Sequence, residues 1–230
     1  MHQYEGRILS YGAGVNSTAL AILLASEGWR GPVLFSDTGS EWPETIAYLH
    51  RFRGWLAGRG LSLTILDGTW RIGKAKMPLL DYCEHYRLTP FPRLRWCTSK
   101  WKNEPLARWC KKHGYQTTDM MLGISAEEAH RQPKRLRPLV DRGIDRAGCE
   151  RIITNAGLDI PRKSGCYVCP FQRKSQWEEL YRHHPALFER VARLEEAATA
   201  RRADGQITAL VSDRRLTLRQ LQATFPGATP

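Results

Sequence analysis

The chain has 230 residues, 42% of them hydrophobic and 25% charged, which is an ordinary composition for a globular protein with a sizeable core. The 35 Lys and Arg residues outnumber the 23 Asp and Glu residues, and the formal net charge of +12 favours a polyanionic partner, nucleic acid first, over an inert basic surface. No apolar run reaches the about 18 residues of a membrane span and no signal-peptide pattern is present, so we expect a cytoplasmic protein without membrane attachment.

The first third of the sequence alternates short apolar runs with amphipathic segments. Strands are predicted over 7–12, 32–38 and 61–67, and helices over 16–27 and 43–56. Because apolar strands that alternate with helices form parallel sheets covered on both faces, the pattern predicts an α/β domain.

The rest of the sequence is less regular and richer in proline and aromatic residues. A loop-rich insertion is predicted over 78–96. Two helices are predicted over 99–113 and 145–158, and two further strands over 118–124 and 135–141. The region from residue 176 onwards is helical in its pattern. We therefore expect one α/β domain over 1–175 and a helical C-terminal extension over 176–230 that packs on it.

Small and polar residues follow the first predicted strand, where the first helix begins. The small residues are Gly12, Ala13 and Gly14, and the side-chain donors are Asn16, Ser17 and Thr18. Backbone N–H groups at such a turn can approach an anion, and the helix dipole adds to the attraction. Taken alone, the segment is equally compatible with a phosphate loop and with a helix cap that contains a glycine turn.

The second predicted strand also ends in small and polar residues. Asp37, Thr38 and Gly39 follow it, and Pro43 stands in the first turn of the next helix. Because ligands of open parallel sheets bind beyond the carboxyl ends of the strands, the two strand ends predict one shared pocket.

These two motifs resemble those of a known superfamily. The segment Gly12-Ala13-Gly14-Val15-Asn16-Ser17 resembles the Ser-Gly-Gly-x-Asp-Ser pyrophosphate loop of the adenine nucleotide α-hydrolases. Asp37-Thr38-Gly39 followed by Pro43-Glu44-Thr45 is similar to the matching element of phosphoadenosine phosphosulfate (PAPS) reductases and their relatives. Segments 97–106 and 122–131 extend the resemblance. "SGCYVCPF" (164–171) is similar to the Cys-x-x-Cys-Pro element of an iron–sulfur branch, which includes the ATPases of DNA phosphorothioation.

The resemblance implies a fold, an activity and a set of site residues. The fold is an open, mainly parallel five-stranded sheet with helices on both faces. The activity is cleavage of ATP between its α- and β-phosphates with Mg²⁺, which adenylates a substrate oxygen for displacement by sulfur or nitrogen. The implied pyrophosphate residues are Gly12, Ala13, Gly14, Asn16, Ser17 and Thr18. The residues implied to line the nucleotide site are Asp37, Thr38, Gly39 and Gly123. The residues implied to stabilise charge on the phosphates, beside the catalytic Ser17, are Lys100 and Arg131. Asn16 departs from the family's aspartate, which leaves a role of this position in Mg²⁺ binding open.

The six cysteines suggest metal ligation, because disulfides are rare in the cytoplasm. Cys166 and Cys169 form a Cys-x-x-Cys turn, for which a [4Fe–4S] cluster, a structural zinc and a redox disulfide are the alternatives. The resemblance favours the cluster and implies Cys97 as a third ligand. For the fourth ligand we expect Cys149, with Cys83 as the second choice and a position left open for substrate sulfur as a further alternative.

Three functions from different classes remain open at this point. The first is a PP-loop ATP pyrophosphatase that activates nucleic acid, DNA or tRNA, for iron–sulfur-dependent sulfur transfer, with a cysteine desulfurase as sulfur donor. The second is a PAPS or adenylyl-sulfate reductase, although no cysteine follows Cys169 to serve as the reductases' C-terminal catalytic thiol. The third is a zinc-stabilised nucleic-acid-binding module without enzymatic activity.

Overall fold

The computed structural model describes residues 3–68, 70–72, 75–201, 210 and 216–227. The strands are β1 (Ile8–Ser10), β2 (Val33–Asp37), β3 (Leu63–Asp67), β4 (Trp70–Ile72), β5 (Ala75–Met77) and β6 (Met120–Leu122). The α-helices are α1 (Val15–Ser26), α2 (Pro43–Ala57), α3 (Leu79–Tyr86), α4 (Trp96–Thr98), α5 (Glu104–Lys112), α6 (Pro138–Asp141), α7 (Arg146–Asn155), α8 (Lys174–His183), α9 (Pro185–Ala200) and α10 (Leu218–Gln222).

The main sheet is parallel, with the strand order β3-β2-β1-β6, and confirms the predicted α/β class. Within the described residues this sheet has four strands where five were expected. In the segment predicted as the fifth strand, Leu136 makes one isolated parallel bridge to Met121. The helix α6 then begins at Pro138, whose ring favours the first turn of a helix and removes a donor that a strand would need.

The chain divides into two compact units. The described residues of the first unit are 3–37, 41–68 and 102–165, and those of the second are 38–40, 70–72, 75–101, 166–201, 210 and 216–227. The boundary expected from the sequence, at 175/176, stays a prediction. Residues 38–40 bond to the start of α3 and to Tyr167, which joins this three-residue piece after β2 to the second unit.

The first unit contains the parallel sheet with helices on both faces. On one face, α1 and α7 pack together over a core that includes Leu9, Leu20 and Ile153. On the other face, α5 places Leu106 and Cys110 against strand residues such as Leu34. α1 is rich in Ala and Leu, which favour helix, and it is buried along most of its length. The sheet and α1 therefore hold the loop between them on a rigid support.

The second unit is mainly helical, with α8, α9 and α10 packed together and α3 against α9. Arg190 on α9 bonds to Asp81 and Glu84 on α3. The carboxylate of the buried Glu195 accepts the backbone N–H groups of Leu210 and Leu218, which fastens the start of α10 to α9. Within the described chain, no helix has both the length and the apolar composition that crossing a bilayer requires.

Two further segments differ from the predicted secondary structure. The helix α3 lies within the insertion predicted as loop-rich, because Pro78 precedes it and the neighbouring Leu79, Leu80 and Cys83 bury one face. Residues Ser99–Asn103, predicted as the start of a helix, form a π-helical turn that leads into α5.

Candidate nucleotide pocket and cysteine-bearing unit

The loop between β1 and α1 is closed by the side chain of Ser17. Its hydroxyl oxygen accepts the backbone N–H of Gly12 at 3.2 Å and donates to the carbonyl of Gly14 at 3.0 Å. Ala13 takes a left-handed conformation with φ of 54°, which is costly for a residue with a Cβ and is typical of loops at functional sites. The loop therefore has a fixed shape that depends on Ser17.

A pocket of about 400 Å³ opens at the carboxyl ends of β1 and β6, beside the start of α1. Its volume falls in the range of small-molecule sites. Of the residues predicted from sequence, it brings together Gly12, Gly14, Asn16, Ser17, Gly123 and Arg131. All of the lining residues belong to the first unit.

Two residues of the predicted pyrophosphate loop have other environments. Ala13 is buried in the core of the first unit. Thr18 is also buried, and its hydroxyl lies 3.1 Å from that of Tyr11. Burial raises the pKa of Tyr11 far above its usual value, so this phenol stays neutral at physiological pH. Thr18 therefore lies on the buried face of α1, where its hydroxyl contacts Tyr11.

Gly123 lies where the end of β6 meets the start of α1. A Cβ at this position would lie 2.5 Å from both the backbone nitrogen and the Cα of Ser17. Only glycine allows this close approach of the two backbones. The residue expected near the adenosine therefore lines the pocket and also sets the distance between the two segments.

Asn16 connects the loop to the segment after β6. Its amide nitrogen donates to the hydroxyl of Ser125 at 2.9 Å and to the carboxylate of Glu128 at 3.2 Å. Because a carboxylate only accepts hydrogen bonds, these contacts fix which end of the amide is nitrogen. The amide oxygen is buried without a hydrogen-bond partner among the described residues. Glu128 also forms an ion pair with Arg131.

Three cations contribute to the pocket lining, and only Arg131 was expected from the sequence. The others are Arg146, at the start of α7, and Lys163, beside Ser164. Arg146 also donates to Glu150 at 2.8 Å. With Glu128 as the only lining carboxylate of this described pocket, the lining has a formal charge of +2, which suits an anion.

The newly found lining residues had only weak signals in the sequence. Glu128 and Arg131 both fall in the segment similar to the family's Gly-Ile…Glu…Arg pattern, but the sequence does not indicate that the Glu128 carboxylate lines the pocket. Lys163 and Ser164 stand directly before Gly165 and Cys166, so the neighbouring cysteine motif obscured them.

The predicted nucleotide residues after β2 are divided between the units. Asp37 ends β2 in the first unit, and its carbonyl accepts the N–H of Gly68 at 2.8 Å. Thr38 and Gly39 belong to the second unit, as does the predicted phosphate-binding Lys100. Gly39 has a φ of 68° and lies against Pro78, where a Cβ would come within 2.7 Å.

The second unit contains four of the six cysteines, namely Cys83, Cys97, Cys166 and Cys169. The backbone N–H of Cys169 donates to the carbonyl of Cys166 at 3.1 Å, which forms the predicted tight turn. The Cys166 sulfur lies 3.2 Å from the Thr38 hydroxyl. Burial, with the neighbouring Cys97 as a further cause, raises the pKa of the Cys83 thiol well above its usual value.

Cys149, the expected fourth ligand, lies in the core of the first unit on α7. Burial raises the pKa of its thiol to about 11, with Glu127 the next largest cause. In the part of the chain that the structure describes, no three His, Cys, Asp or Glu side chains converge closely enough to hold one metal ion.

The chain was compared with known proteins at the levels of sequence and structure. No protein-family model and no curated protein matches the sequence. Among solved structures, the chain is similar to the crystal structure of phosphoadenylyl-sulfate (PAPS) reductase from Candida auris in its phosphate complex. The two are 15% identical, and the match covers 70% of this chain and 81% of that chain with a TM-score of 0.49.

Proposed function

We propose that the chain is an enzyme of the PP-loop type that binds ATP in the pocket at the start of α1 and cleaves it between the α- and β-phosphates. The AMP moiety would activate an oxygen of a nucleic-acid acceptor for sulfur transfer. The observation that carries the proposal is the pocket itself, which combines the Ser17-closed loop, a helix N-terminus and an excess of cations.

The chemistry of the lining supports a polyphosphate ligand. Backbone N–H groups of the loop and the dipole of α1 attract an anion at one end. Arg131, Arg146 and Lys163 add charge-assisted donors, and such bonds strengthen as pyrophosphate leaves with more negative charge than it had in ATP. In this proposal Lys163 and Arg146 add to the positive charge that the sequence had suggested for Arg131 and Lys100.

The test is to incubate the protein with ATP and Mg²⁺ and identify the products. We expect AMP and pyrophosphate, with stimulation by an acceptor nucleic acid. Two outcomes would contradict the proposal. One is the formation of ADP and phosphate, and the other is the absence of cleavage with any acceptor together with the absence of ATP binding in a titration. PAPS with reduced thioredoxin is a parallel substrate, and robust sulfite release would favour the reductase alternative.

Matched variants connect the activity to the pocket. Lys163→Gln should weaken ATP binding about tenfold, which corresponds to one lost charge-assisted hydrogen bond. Arg53→Gln removes the same charge from the exposed face of α2 and should leave ATP binding unchanged. Equal losses in the two variants would mean that the general positive field, not this pocket, holds the nucleotide.

We also propose that the second unit holds a [4Fe–4S] cluster through Cys97, Cys166 and Cys169, with Cys83 in place of Cys149 as fourth ligand. The support is that these four thiols share one unit, while Cys149 packs in the core of the other. The described side chains do not converge on a single point, so metal binding would have to move them, as it does where ligation is coupled to folding. Such a cluster would supply sulfur chemistry to the unit.

Metal analysis of anaerobically purified protein tests this second proposal. About four irons per chain with a broad absorbance near ~400 nm would support a cluster, and about one zinc would indicate a structural metal. Cys83→Ala should lose the metal, whereas Cys149→Ala should keep it. The opposite result would return Cys149 to the ligand set, and a metal-free protein would leave the cysteines as thiols only.

A further inference from the structure

Large apolar side chains are strongly exposed at four positions of the described chain, namely Phe91, Leu94, Ile160 and Phe171. Phe171 is 53% exposed and Leu94 is 74% exposed. Three of the four belong to the second unit, in segments 91–95 and 171–173. Exposed apolar groups gathered in one region mark interaction sites more often than single exposed residues do.

The two segments form one surface. The guanidinium of Arg95 lies 5.8 Å from the centre of the Phe171 ring, a cation–π distance. The backbone N–H of Arg95 donates to the carbonyl of Phe91 at 3.0 Å. We name the basic aromatic surface by its six exposed residues: Phe91, Arg93, Leu94, Arg95, Phe171 and Arg173.

Among the described residues, none of the ion pairs involves Arg93, Arg95 or Arg173. Segments 87–95 and 170–175 contain no Asp or Glu. The acids that flank the two segments most closely bond to other arginines: Glu84 to Arg190 and Glu178 to Arg182. The surface thus presents three arginines interleaved with two phenylalanine rings.

We infer that the basic aromatic surface binds a single strand of nucleic acid, with bases stacked on Phe91 and Phe171 and phosphates bound by the arginines. Exposed rings beside cations are the means by which single-strand-binding proteins hold DNA or RNA without reading its sequence. A duplex keeps its bases stacked on each other, so the rings gain little from it. The inference deepens the proposed function, on which it rests for the reaction that follows binding.

The surface adjoins two cysteines along the chain. Cys97 follows Arg95 by two residues, and Cys169 precedes Phe171 by two residues. Both cysteines are half-buried, and both belong to the same unit as the surface. A single strand of nucleic acid bound to this surface would therefore lie beside the segments that contain the cysteines of the proposed sulfur chemistry.

The test is fluorescence anisotropy with labelled oligodeoxythymidylate and oligouridylate of about 16 nucleotides, the upper site size of single-strand grooves. A duplex and an abasic strand of the same length serve as comparison probes. We expect the single strands to bind more tightly than either probe. No binding of single strands at low salt, or equal binding of the abasic strand, would overturn the inference.

Two variants separate stacking from charge. Phe171→Leu keeps an apolar side chain but removes the ring, and should weaken binding at least about fivefold. Arg95→Gln/Arg173→Gln should reduce the slope of log K against log salt concentration by about 1.4, since each phosphate contact on a single strand contributes about 0.7. The control Arg53→Gln/Arg108→Gln removes two exposed arginines from α2 and α5 and should leave the slope unchanged.

Other occupants of the surface give different results. Binding to anionic vesicles but not to oligonucleotides would indicate a lipid surface, and a dimer that Phe171→Leu dissociates would indicate a second copy of the chain. Both results would overturn the inference. ATP binding is titrated without nucleic acid, so that the two proposals can fail separately. A protein that binds ATP and ignores single strands would keep the proposed pocket and lose this surface, whereas a protein that binds single strands but no ATP would do the opposite.

Discussion

The side-chain amide of Asn16 donates a hydrogen bond to the carboxylate of Glu128 across 3.2 Å. Asn16 itself carries no charge, so the negative charge beside the loop between β1 and α1 stands on Glu128. The pair joins the start of α1 to the segment that follows β6. It therefore determines both the charge and the shape of this side of the pocket.

Exchanging the two groups tests this arrangement. Asn16→Asp places a carboxylate against Glu128, and two like charges at this distance repel each other and lower the positive potential of the pocket. We expect ATP binding to weaken about tenfold, or about 1.4 kcal/mol. Titration calorimetry measures the change.

The double variant Asn16→Asp/Glu128→Gln provides the control. It restores one amide and one carboxylate, with the same total charge as the original pair. Binding should return to within about threefold of the original protein, because coupled neighbours are not additive. If the double variant binds as weakly as Asn16→Asp, the contact between these residues does not control the pocket.

Gly123→Ala should disturb the pocket through packing. The added Cβ would meet the Ser17 backbone at 2.5 Å, and neither backbone can move without shifting β6 or α1. We expect a loss of about 2–3 kcal/mol of unfolding free energy, in the upper range for overpacking. The midpoint of urea unfolding measures it.

Gly54→Ala is the matched comparison for this substitution. Gly54 is an exposed interior residue of α2, and a Cβ there meets no atom within 4 Å. Alanine favours the helix by roughly 0.5–1 kcal/mol, so this variant should be more stable than the original protein. A stable Gly123→Ala protein would show that the two backbones have room to separate.

The sequence predicted the elements up to β3 closely, because apolar strands and amphipathic helices alternate there with little interruption. The helix α3 was missed because the surrounding prolines indicate a loop, although Pro78 is compatible with a helix start. A fifth strand was predicted from the pattern over 135–141 as well as from the resemblance, but Pro138 begins a helix after a single bridge at Leu136.

In the candidate site, too, the sequence predicted the local segments but not the contacts between side chains that are distant along the chain. Local motifs identified the loop and Gly123, since turn chemistry and small residues are visible in a short segment. The partner of Asn16 lies 112 residues away along the chain, at Glu128. Lys163 reaches the same pocket from a different part of the sequence. Such contacts depend on the packing of the whole unit, which periodicity and spacing do not encode.

The stability of the second unit should depend on pH through Glu189. Its carboxylate receives two hydrogen bonds from Arg219 and one from Arg193. Bonding to Arg219 foremost, then to Arg193, lowers the pKa of Glu189 from 4.5 to about 2. Because the pKa is depressed in the folded state, the stabilisation is present above the unfolded value of 4.5 and is lost as pH falls towards 2.

Glu189→Gln measures this contribution. The variant should unfold at lower urea concentration than the original protein at pH 6, and the difference should shrink steadily below pH 4.5 and vanish near pH 2. High salt should reduce the difference at pH 6, since the groups are partly exposed. A difference that stays constant with pH would mean that Glu189 acts through packing and not through its charge.

The cysteines of metal-free protein should differ in reactivity according to burial. Alkylation requires the thiolate, and burial raises the pKa of Cys149 to about 11, so its thiolate at pH 7.5 is about a hundredfold or more scarcer than that of an ordinary cysteine. Buried Cys83 is protected for the same reason. Iodoacetamide should therefore modify the half-buried Cys97 and Cys169 first, as followed by mass spectrometry of peptides over time.

Two controls accompany this measurement. Addition of urea should expose all six cysteines equally. Reconstitution with iron and sulfide should protect Cys97 and Cys169 from alkylation but leave the slow alkylation of Cys149 unchanged. Rapid labelling of Cys149 in folded protein would contradict its place in the core of the first unit.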